Sequence, residues 1–361
     1  MNKTKLTYDD VCIVPAVTSS IRSRSECNPY DDRDMLPIFT APMDSVVSEG
    51  NAFTFVQNRI NVIMPRTIDF QRRLNLNQAF NRWIAVSLEE AKWILQGLYD
   101  YPPTRICIDI ANGHMEHLIE LVRDLKRTYP EMEIMTGNIA NPQTYREYEK
   151  AGLDFIRCSV GTGSGCLTSS NTAIHYPQFS LLEDLYRIKK EINGKCKIIA
   201  DGGIRGYRDI QKALVFADYV MIGGLFNRML ESAGRTTYGK FYTHIRGRKI
   251  FRPLKTLFNY GKEVDVENPE IIQGWKDGKF TLWKKFYGMS TKEAQRKINP
   301  NGPLKTSEGL VTYQKVESTL SQWVENEIDY LRSAMSYTGS RTLEEYKDSE
   351  YIVMTQRRFN D

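Results

Sequence analysis

The sequence lacks any long apolar run. None of its 361 residues lies in a stretch of about 18 consecutive apolar side chains, and the N-terminal MNKTKLTYDDVCIVP has no apolar segment of the kind found in a signal peptide. These absences argue against a helical membrane protein and against a secreted protein with a cleaved leader. We therefore expect a cytoplasmic protein that makes no contact with a membrane.

Paired cysteines are also missing, and histidine is scarce. The six cysteines, at positions 12, 27, 107, 158, 166 and 196, form no CxxC pair and no regular framework, which is typical of reduced thiols. Of the four histidines, His114 and His117 have helical spacing, but no third histidine or carboxylate cluster accompanies them. The sequence predicts no zinc site.

No basic stripe stands out either. The net charge of +5 arises from 49 basic and 44 acidic residues scattered along the chain, so no nucleic-acid partner is expected. With 41% hydrophobic residues, the chain is long enough to bury the core of one large α/β domain or of two smaller ones.

Eight short apolar runs alternate with amphipathic helical patterns such as MEHLIELVRDLKRTYPE. In those patterns the apolar residues fall at i, i+3, i+4 and i+7, as in a helix packed on a sheet. Eight such β/α units favour a (β/α)8 TIM barrel over a doubly wound sheet. The runs span residues 37–43, 61–66, 83–88, 105–113, 133–138, 155–161, 197–203 and 219–224.

Glycine, serine, asparagine and aspartate collect directly after these runs. In a barrel, the positions that follow the strands share one rim, where active sites of this fold lie. The loop in FIRCSVGTGSGC would place Cys166 at this rim. Its thiol is either a nucleophile, if backbone amides or a neighbouring charge lower its pKa, or a small buried side chain beside tight turns.

Two glycine turns follow the last two runs, ADGG at 200–203 and IGG at 222–224. Their backbone amides favour a phosphate group, and Asp201 could accept hydrogen bonds from a ribose diol. Alternatively, the glycines only form tight turns and Asp201 caps a helix. Two such turns in adjacent units favour a nucleotide monophosphate.

We expect a single domain over residues 1–361, with the core strands at about 37–224. Beyond Gly224 the pattern becomes irregular. We interpret it as a rim insertion at about 236–283, a mobile active-site flap at about 286–312 and a C-terminal helical segment at 314–347.

Several motifs occur in an order that resembles the IMP dehydrogenase/GMP reductase family. They include LTYDDVCIVP, PIFTAPMDSV, DIANGHMEH, the cysteine loop followed by YPQ, IIADGGIRGYRDIQKAL, DYVMIGG, FYGMS and SEG. The resemblance implies a (β/α)8 barrel that assembles as a homotetramer. It also implies that Cys166 attacks C2 of a purine nucleotide to form a thioimidate, with hydride transfer between C2 and a nicotinamide cofactor.

The resemblance assigns further roles residue by residue. Thr168 and Glu308 match a pair that handles the protons of ammonia. The sequence leaves open whether the carbonyls of Gly161 and Gly163 hold a monovalent cation such as potassium. Ser164, Gly203, Gly223 and Gly224 match phosphate-binding positions, Asp201 a ribose ligand, and Met289, Ser290 and Gly309 base-binding positions. Cofactor or site-lining positions are matched by Asp109, Asn112, Asn138, Lys305, Ser307 and, from a neighbouring subunit, Ser333 and Tyr337.

Three features favour the reductase branch of the family over the dehydrogenase branch. The chain has no Arg-Tyr dipeptide, which the dehydrogenases use to activate water. The segments between its early strands are too short to hold CBS domains. The motifs FYGMS and YPQ are more similar to the reductase motifs than to the dehydrogenase motifs. The implied reaction is reductive deamination of GMP to IMP and ammonia with NADPH, a step of purine salvage. IMP dehydrogenase activity and a catalytically altered purine-nucleotide-binding barrel remain the alternatives.

The chain also departs from the family pattern. VSLEE at 86–90 replaces a glycine-rich stretch that meets the nicotinamide, Ser169 replaces a basic residue after the catalytic threonine, and Lys305 replaces an arginine. Lysine can still pair with a 2′-phosphate as a point charge, which favours NADPH while leaving NADH open. The role of the 236–283 segment, and the choice between GMP and a modified purine nucleotide, stay open as well.

Overall fold

A computed structural model describes residues 4–162, 167–238, 268–279, 281–304, 306 and 309–354. Eight parallel strands form its largest sheet, in the order β2-β9-β8-β7-β6-β5-β4-β3. Each of the eight predicted runs contains one of these strands. They are β2 (Ile38–Thr40), β3 (Ile63–Met64), β4 (Trp83–Val86), β5 (Arg105–Ile108), β6 (Glu133–Ile139), β7 (Phe155–Cys158), β8 (Lys197–Asp201) and β9 (Tyr219–Ile222).

The sheet closes on itself at Asn61, just before β3. Asn61 forms a parallel bridge with Phe39 of β2. Its carbonyl accepts a hydrogen bond from the Thr40 amide at 2.8 Å, and its own amide donates to the Ile38 carbonyl at 3.0 Å. The predicted (β/α)8 barrel is therefore confirmed.

The longer helices pack around the barrel through an apolar face. In α4, Leu118, Leu121, Val122 and Leu125 are the buried residues, at the predicted i, i+3, i+4, i+7 spacing. No described helix is both long and apolar enough to span a membrane. The helices are α1 (Glu49–Gln57), α2 (Phe70–Phe80), α3 (Leu88–Leu95), α4 (Glu116–Thr128), α5 (Thr144–Lys150), α6 (Thr168–Thr172), α7 (Gln178–Glu191), α8 (Tyr207–Leu214), α9 (Gly224–Asn227), α10 (Pro269–Lys276), α11 (Lys292–Ile298), α12 (Leu320–Thr338) and α13 (Leu343–Tyr346).

Aromatic side chains fill the lower half of the barrel. The rings of Trp83 and Phe155 meet edge to face with centroids 5.1 Å apart, and Phe39 lies 5.9 Å from Trp83 and 6.0 Å from Phe155. Alternate residues of a strand point to the same side of the sheet. Arg157 therefore points into the barrel directly above Phe155, and the aromatic layer separates it from the bottom of the barrel.

Two smaller sheets lie outside the barrel. β1 (Val11–Ile13) pairs antiparallel with β13 (Tyr351–Val353) near the chain ends. β10 (Thr236–Tyr238), β11 (Leu282–Tyr287) and β12 (Val311–Lys315) form an antiparallel sheet, against which α10 packs. The described parts of the predicted 236–283 insertion are β10, α10 and the first residues of β11.

A buried carboxyl group lies between α8 and α12. Glu327 is fully buried, and Gln211 Nε2 donates a hydrogen bond to its Oε1 at 3.2 Å. Glu327 Oε2 has no partner among the described residues. Burial raises the pKa of Glu327 well above its ordinary value of 4.5, because no cation offsets the loss of water. The folded protein therefore holds this carboxyl group in its neutral form.

The neutral state of Glu327 predicts a stability that depends on pH. Between the unfolded pKa near 4.5 and the raised folded pKa, the folded state binds the extra proton, so stability falls as pH rises. Glu327→Gln has no such proton, and we expect its thermal midpoint to exceed that of the wild type by an amount that grows from about pH 5 to about pH 8. Glu325→Gln, an exposed position on the same helix, is the control. A constant difference across this range would contradict a neutral Glu327.

Candidate active site

A cavity of about 420 Å³ opens at the carboxyl ends of the barrel strands. Residues that directly follow the strands form most of its wall, and the segment after β11 closes one side. The barrel contributes Ala41, Pro42, Met43, Arg66, Asp109, Ile110, Ala111, Asn138, Arg157, Ser159, Val160, Gly161, Thr168, Asp201, Gly202, Gly203, Ile204, Met221, Ile222, Gly223 and Gly224, and the β11 end contributes Phe286, Gly288, Met289 and Ser290.

Arg157 joins the two carboxylates of this cavity. Its Nη1 donates to Asp109 Oδ1 at 2.9 Å, while its Nη2 and Nε donate to Asp201 Oδ2 at 2.9 and 3.0 Å. Asn138 Nδ2 donates to the same Asp201 oxygen at 2.8 Å. On the other side, Arg66 Nε lies 3.4 Å from Asp109 Oδ2. Four consecutive strand ends, from β5 to β8, are thus linked by charged hydrogen bonds.

The same contacts set the charge of these groups. Burial alone would raise the pKa of Asp109, but the guanidinium groups of Arg157 and Arg66 outweigh it and hold that pKa below its usual value of 3.8. Burial alone would lower the pKa of Arg157, and Asp201, Cys107 and Asp109 together raise it instead. Asp109 is therefore an anion and Arg157 a cation at neutral pH.

A glycine of β6 allows Arg157 to sit at this point. Gly137 has a φ of +149°, and a Cβ atom there would lie 2.4 Å from the Arg157 carbonyl oxygen and 2.7 Å from Arg157 Cβ. No other residue type fits so close to the neighbouring strand. The glycine places Asn138, the next residue, beside Asp201.

Most of the predicted site residues that the structure describes line this one cavity. Met289 and Ser290 reach it from a segment more than sixty positions after the last barrel strand. The predicted residues in the wall are Gly161, Thr168, Asp201, Gly203, Gly223, Gly224, Met289, Ser290, Asp109 and Asn138. Cys166, Gly163, Ser164, Lys305, Ser307 and Glu308 lie outside the described residues.

Of the predicted site residues that the structure describes, four do not line the cavity: Asn112, Gly309, Ser333 and Tyr337. Asn112 is exposed, and its Oδ1 accepts a hydrogen bond from the His114 amide at 3.0 Å. Ser333 and Tyr337 lie on α12, where Tyr337 is 67% exposed. The resemblance assigned these last two residues to the site of a neighbouring subunit, so within one chain they lie apart from the cavity.

The Gly161 carbonyl already has a partner in this chain. Ser169 Oγ donates to it at 3.0 Å, across a contact so tight that a Cβ at Gly161 would lie 2.4 Å from Ser169 Cβ. Gly161 has a φ of +76°, which only glycine adopts without strain. Ser169, a departure from the family pattern, thus binds one of the carbonyls predicted to face a cation.

The other five cysteines are free thiols, and four of them are buried in positions that disfavour nucleophilic attack. Cys107, Cys158 and Cys196 are buried, and burial raises the pKa of Cys107 to about 12 and the pKa values of the other two well above the ordinary 9.0. Burial also raises the pKa of Cys27. Thiols held in the protonated form are weak nucleophiles, so these cysteines serve as packing residues.

The residues VSLEE (86–90), which depart from the family pattern, end β4 and begin α3, and they do not line the cavity. Ser87 caps α3 by accepting from the Glu90 amide, and Glu90 Oε2 accepts from the Ser87 amide at 2.7 Å. Glu90 Oε1 also accepts from Arg73 Nη2 at 2.6 Å, and Arg73 is almost fully buried. Here the carboxylate neutralises a buried arginine.

Sequence reasoning missed Arg157 and Arg66. A signal was present for both: Arg157 is the one charge in the apolar run FIRC, and Arg66 directly follows NVIMP. A charged residue inside a buried strand needs a partner, and the strand ends are where partners occur.

Comparison with known proteins agrees with this geometry. The model of the IMP dehydrogenase / GMP reductase domain matches residues 85–264. The chain belongs to the IMP dehydrogenase/GMP reductase family. It is 29% identical to the GMP reductase of Bacillus subtilis (strain 168) over 366 residues, which cover 98% of this chain and 97% of the relative. It is also 29% identical to the GMP reductase of Clostridium acetobutylicum, with the same coverage, and 27% identical to that of Onchocerca volvulus, with 99% and 93% coverage.

Loss of the Arg157 side chain should destabilise the barrel. Arg157→Met leaves Asp109 and Asp201 buried without their shared cation, and we expect a loss of about 3–5 kcal/mol in the free energy of unfolding by urea. Arg105→Met, which breaks the more exposed Arg105–Glu133 pair on the same sheet, is the control, with an expected loss of about 1 kcal/mol. Equal losses would show that the guanidinium does not hold the two carboxylates in place.

Proposed function

We propose that this protein is a GMP reductase that converts GMP to IMP and ammonia with a nicotinamide cofactor. The observation that carries the proposal is the meeting of the two glycine turns, Thr168 and Met289–Ser290 around one cavity of a barrel in this family. The relatives that match this chain over nearly its whole length bear the name GMP reductase.

The wall of the cavity suits a purine nucleotide. Gly202, Gly203, Gly223 and Gly224 present backbone amides at the ends of β8 and β9, where phosphate groups bind in this fold. Asp201, held by Arg157, is positioned to accept hydrogen bonds from the ribose. Met289 and Ser290 then cover the base.

In the proposed reaction, the Cys166 thiolate attacks C2 of GMP and the exocyclic amine leaves as ammonia. Thr168 and Glu308 carry the proton that the departing amine requires, which is general acid–base work. A bound nicotinamide cofactor would supply the hydride that C2 receives, and Cys166 would then leave C2 as the thiolate, which releases IMP. The purine is reduced and loses its amine, while the cysteine returns to its starting state.

The residues beside Asp109 fit a polar cofactor group. Arg66 Nε is buried and makes no hydrogen bond within the described residues, although it lies near Asp109. A carboxamide oxygen is an acceptor that would satisfy such a group. We assign Asp109 and Asn138 to this end of the cavity, with Arg66 as an added candidate.

Further features of the proposal come from the family resemblance alone. We propose that NADPH is the preferred cofactor through Lys305, that the enzyme acts in the cytoplasm as a homotetramer formed from single-domain chains, and that Ser333 and Tyr337 serve a neighbouring site. A monovalent cation at the Gly161 and Gly163 carbonyls is part of the same proposal, with Ser169 competing for one of them.

The reaction is tested by following the absorbance of the reduced nicotinamide with purified protein. We expect loss of signal with GMP plus NADPH and no gain with IMP plus NAD. Cys166→Ala should abolish turnover, and Glu308→Gln should slow it by about a hundredfold or more, as loss of a general acid–base group does. Cys12→Ala, on β1 at the chain ends, is the matched control and should turn over normally. Signal gain in the IMP arm would replace the proposal with a dehydrogenase, and nucleotide binding without turnover in both arms would replace it with a binding barrel.

Cofactor preference is tested at Lys305. If its ammonium group pairs with a 2′-phosphate, Lys305→Met should raise KM for NADPH about tenfold and leave KM for NADH nearly unchanged, because NADH lacks that phosphate. Lys279→Met, an exposed lysine of the segment before β11, is the control. An equal rise for both cofactors would remove the 2′-phosphate contact from the proposal.

A further inference from the structure

Asp44, in the loop after β2, forms a closed set of hydrogen bonds with two residues from a distant part of the chain. Its Oδ2 accepts from Tyr287 Oη and from Lys297 Nζ, both at 2.8 Å. Lys297 Nζ also donates to Tyr287 Oη at 2.6 Å and lies 5.1 Å from the centre of the tyrosine ring. We call Asp44, Tyr287 and Lys297 the rim clasp.

The rim clasp connects two walls of the cavity. Asp44 directly follows Met43, which lines the cavity from the barrel, and Tyr287 directly precedes Gly288, Met289 and Ser290, which line it from the outer sheet. Lys297 lies in the last turn of α11, which follows the same segment. The rim clasp therefore helps to fix the position of residues 288–290 relative to the barrel.

The clasp is more than a surface ion pair. The Asp44 side chain is only 13% exposed and Tyr287 is buried, so water competes weakly for the hydrogen bond between them. The Lys297 side chain is 48% exposed, so its hydrogen bonds contribute less. Burial raises the pKa of Tyr287 to about 12, which keeps its hydroxyl group protonated as a donor. Burial alone would lower the pKa of Lys297, but its hydrogen bonds to Asp44 and Tyr287 raise it instead. Tyr287 thus stays a hydroxyl donor and Lys297 an ammonium donor at neutral pH.

Neighbouring contacts hold the outer sheet without reaching the cavity wall. Asn227 Nδ2 donates to the carbonyls of Ser45 and Lys285 at 2.7 and 3.2 Å, which attaches β11 to the barrel. Lys285 Nζ pairs with Glu293 at 2.6 Å, which joins α11 to β11. Ser45 Oγ also donates to the Tyr287 carbonyl at 3.3 Å. Breaking the clasp would leave that one longer hydrogen bond beside residues 288–290, so their position would be less firmly fixed while the sheet stays attached.

We infer that Asp44 is a positioning residue for the nucleotide site, which acts through Tyr287 and Lys297 to hold Gly288, Met289 and Ser290 against the bound purine. The inference rests on the proposed function, since it assigns a role to the segment that covers the base. A segment that contacts the base in the ground state and the transition state alike affects binding more than turnover.

The test compares variants by nucleotide binding and by steady-state kinetics. We expect Asp44→Ala to raise the dissociation constant of GMP, measured by calorimetry, and KM for GMP about tenfold, with kcat within about twofold. Tyr287→Phe keeps the ring and should show a similar but smaller rise. Asp44→Asn keeps an acceptor oxygen and should recover part of the loss. Lys292→Met, which changes an exposed lysine in the first turn of α11, should bind GMP as the wild type does.

The double variant Asp44→Ala with Tyr287→Phe decides whether the residues act together. Within one clasp the second substitution should add little to the first, whereas independent effects would multiply and contradict the inference. Should Asp44→Ala fail to fold, Tyr287→Phe carries the test alone, and unchanged GMP binding would overturn the inference. Tight GMP binding by Asp44→Ala would overturn the clasp and leave the proposed function standing. A wild-type protein that binds neither GMP nor IMP would overturn both.

Discussion

The buried charge of Arg157 constrains the upper half of the barrel more than any other group. A guanidinium removed from water is tolerated only where carboxylates replace the lost hydration, and Arg157 has one on each side, Asp109 and Asp201. Because those two side chains belong to β5 and β8, the ion pairs fix the relative positions of strand ends that the backbone ladder alone leaves adjustable. The aromatic layer of Trp83 and Phe155 lies directly beneath, so on β7 the interior changes from apolar to charged within two residues, from Phe155 to Arg157.

Because the charged groups lie above an apolar layer and are paired with each other, the cavity can bind a polar ligand without weakening the fold. The charges that line it are paired with each other before any ligand arrives, so they need little reorganisation to meet a ribose or a carboxamide. The glycine turns after β8 and β9 contribute backbone amides, whose positions follow from the strands themselves. Barrel residues thus form one side of the site, and the segment after β11 reaches it from outside the barrel, where Tyr287 bonds to Asp44 and Ser45.

Two departures from the family pattern acquire a structural reason. VSLEE forms the start of α3, and Glu90 neutralises Arg73, so the polar residues at this strand end stabilise the chain rather than face the cavity. Ser169 binds the Gly161 carbonyl. Both changes lie where the cofactor or a cation is expected, and in the described structure both side chains bind other groups of the same chain.

The sequence by itself determined the barrel, because eight apolar runs with glycine-rich ends and amphipathic helices between them leave few other ways to bury that surface. It also determined which residues meet at the rim, since residues that follow parallel strands share one edge: Asp201, Gly203 and Gly223 needed no coordinates. The pairing of Arg157 with both carboxylates was decided only by the tertiary structure, as were the capping role of Glu90 and the contact between Asp44 and Tyr287, 243 positions apart. Such contacts depend on the relative positions of whole elements, and local periodicity carries no information about distances between side chains that the chain brings together only when it folds.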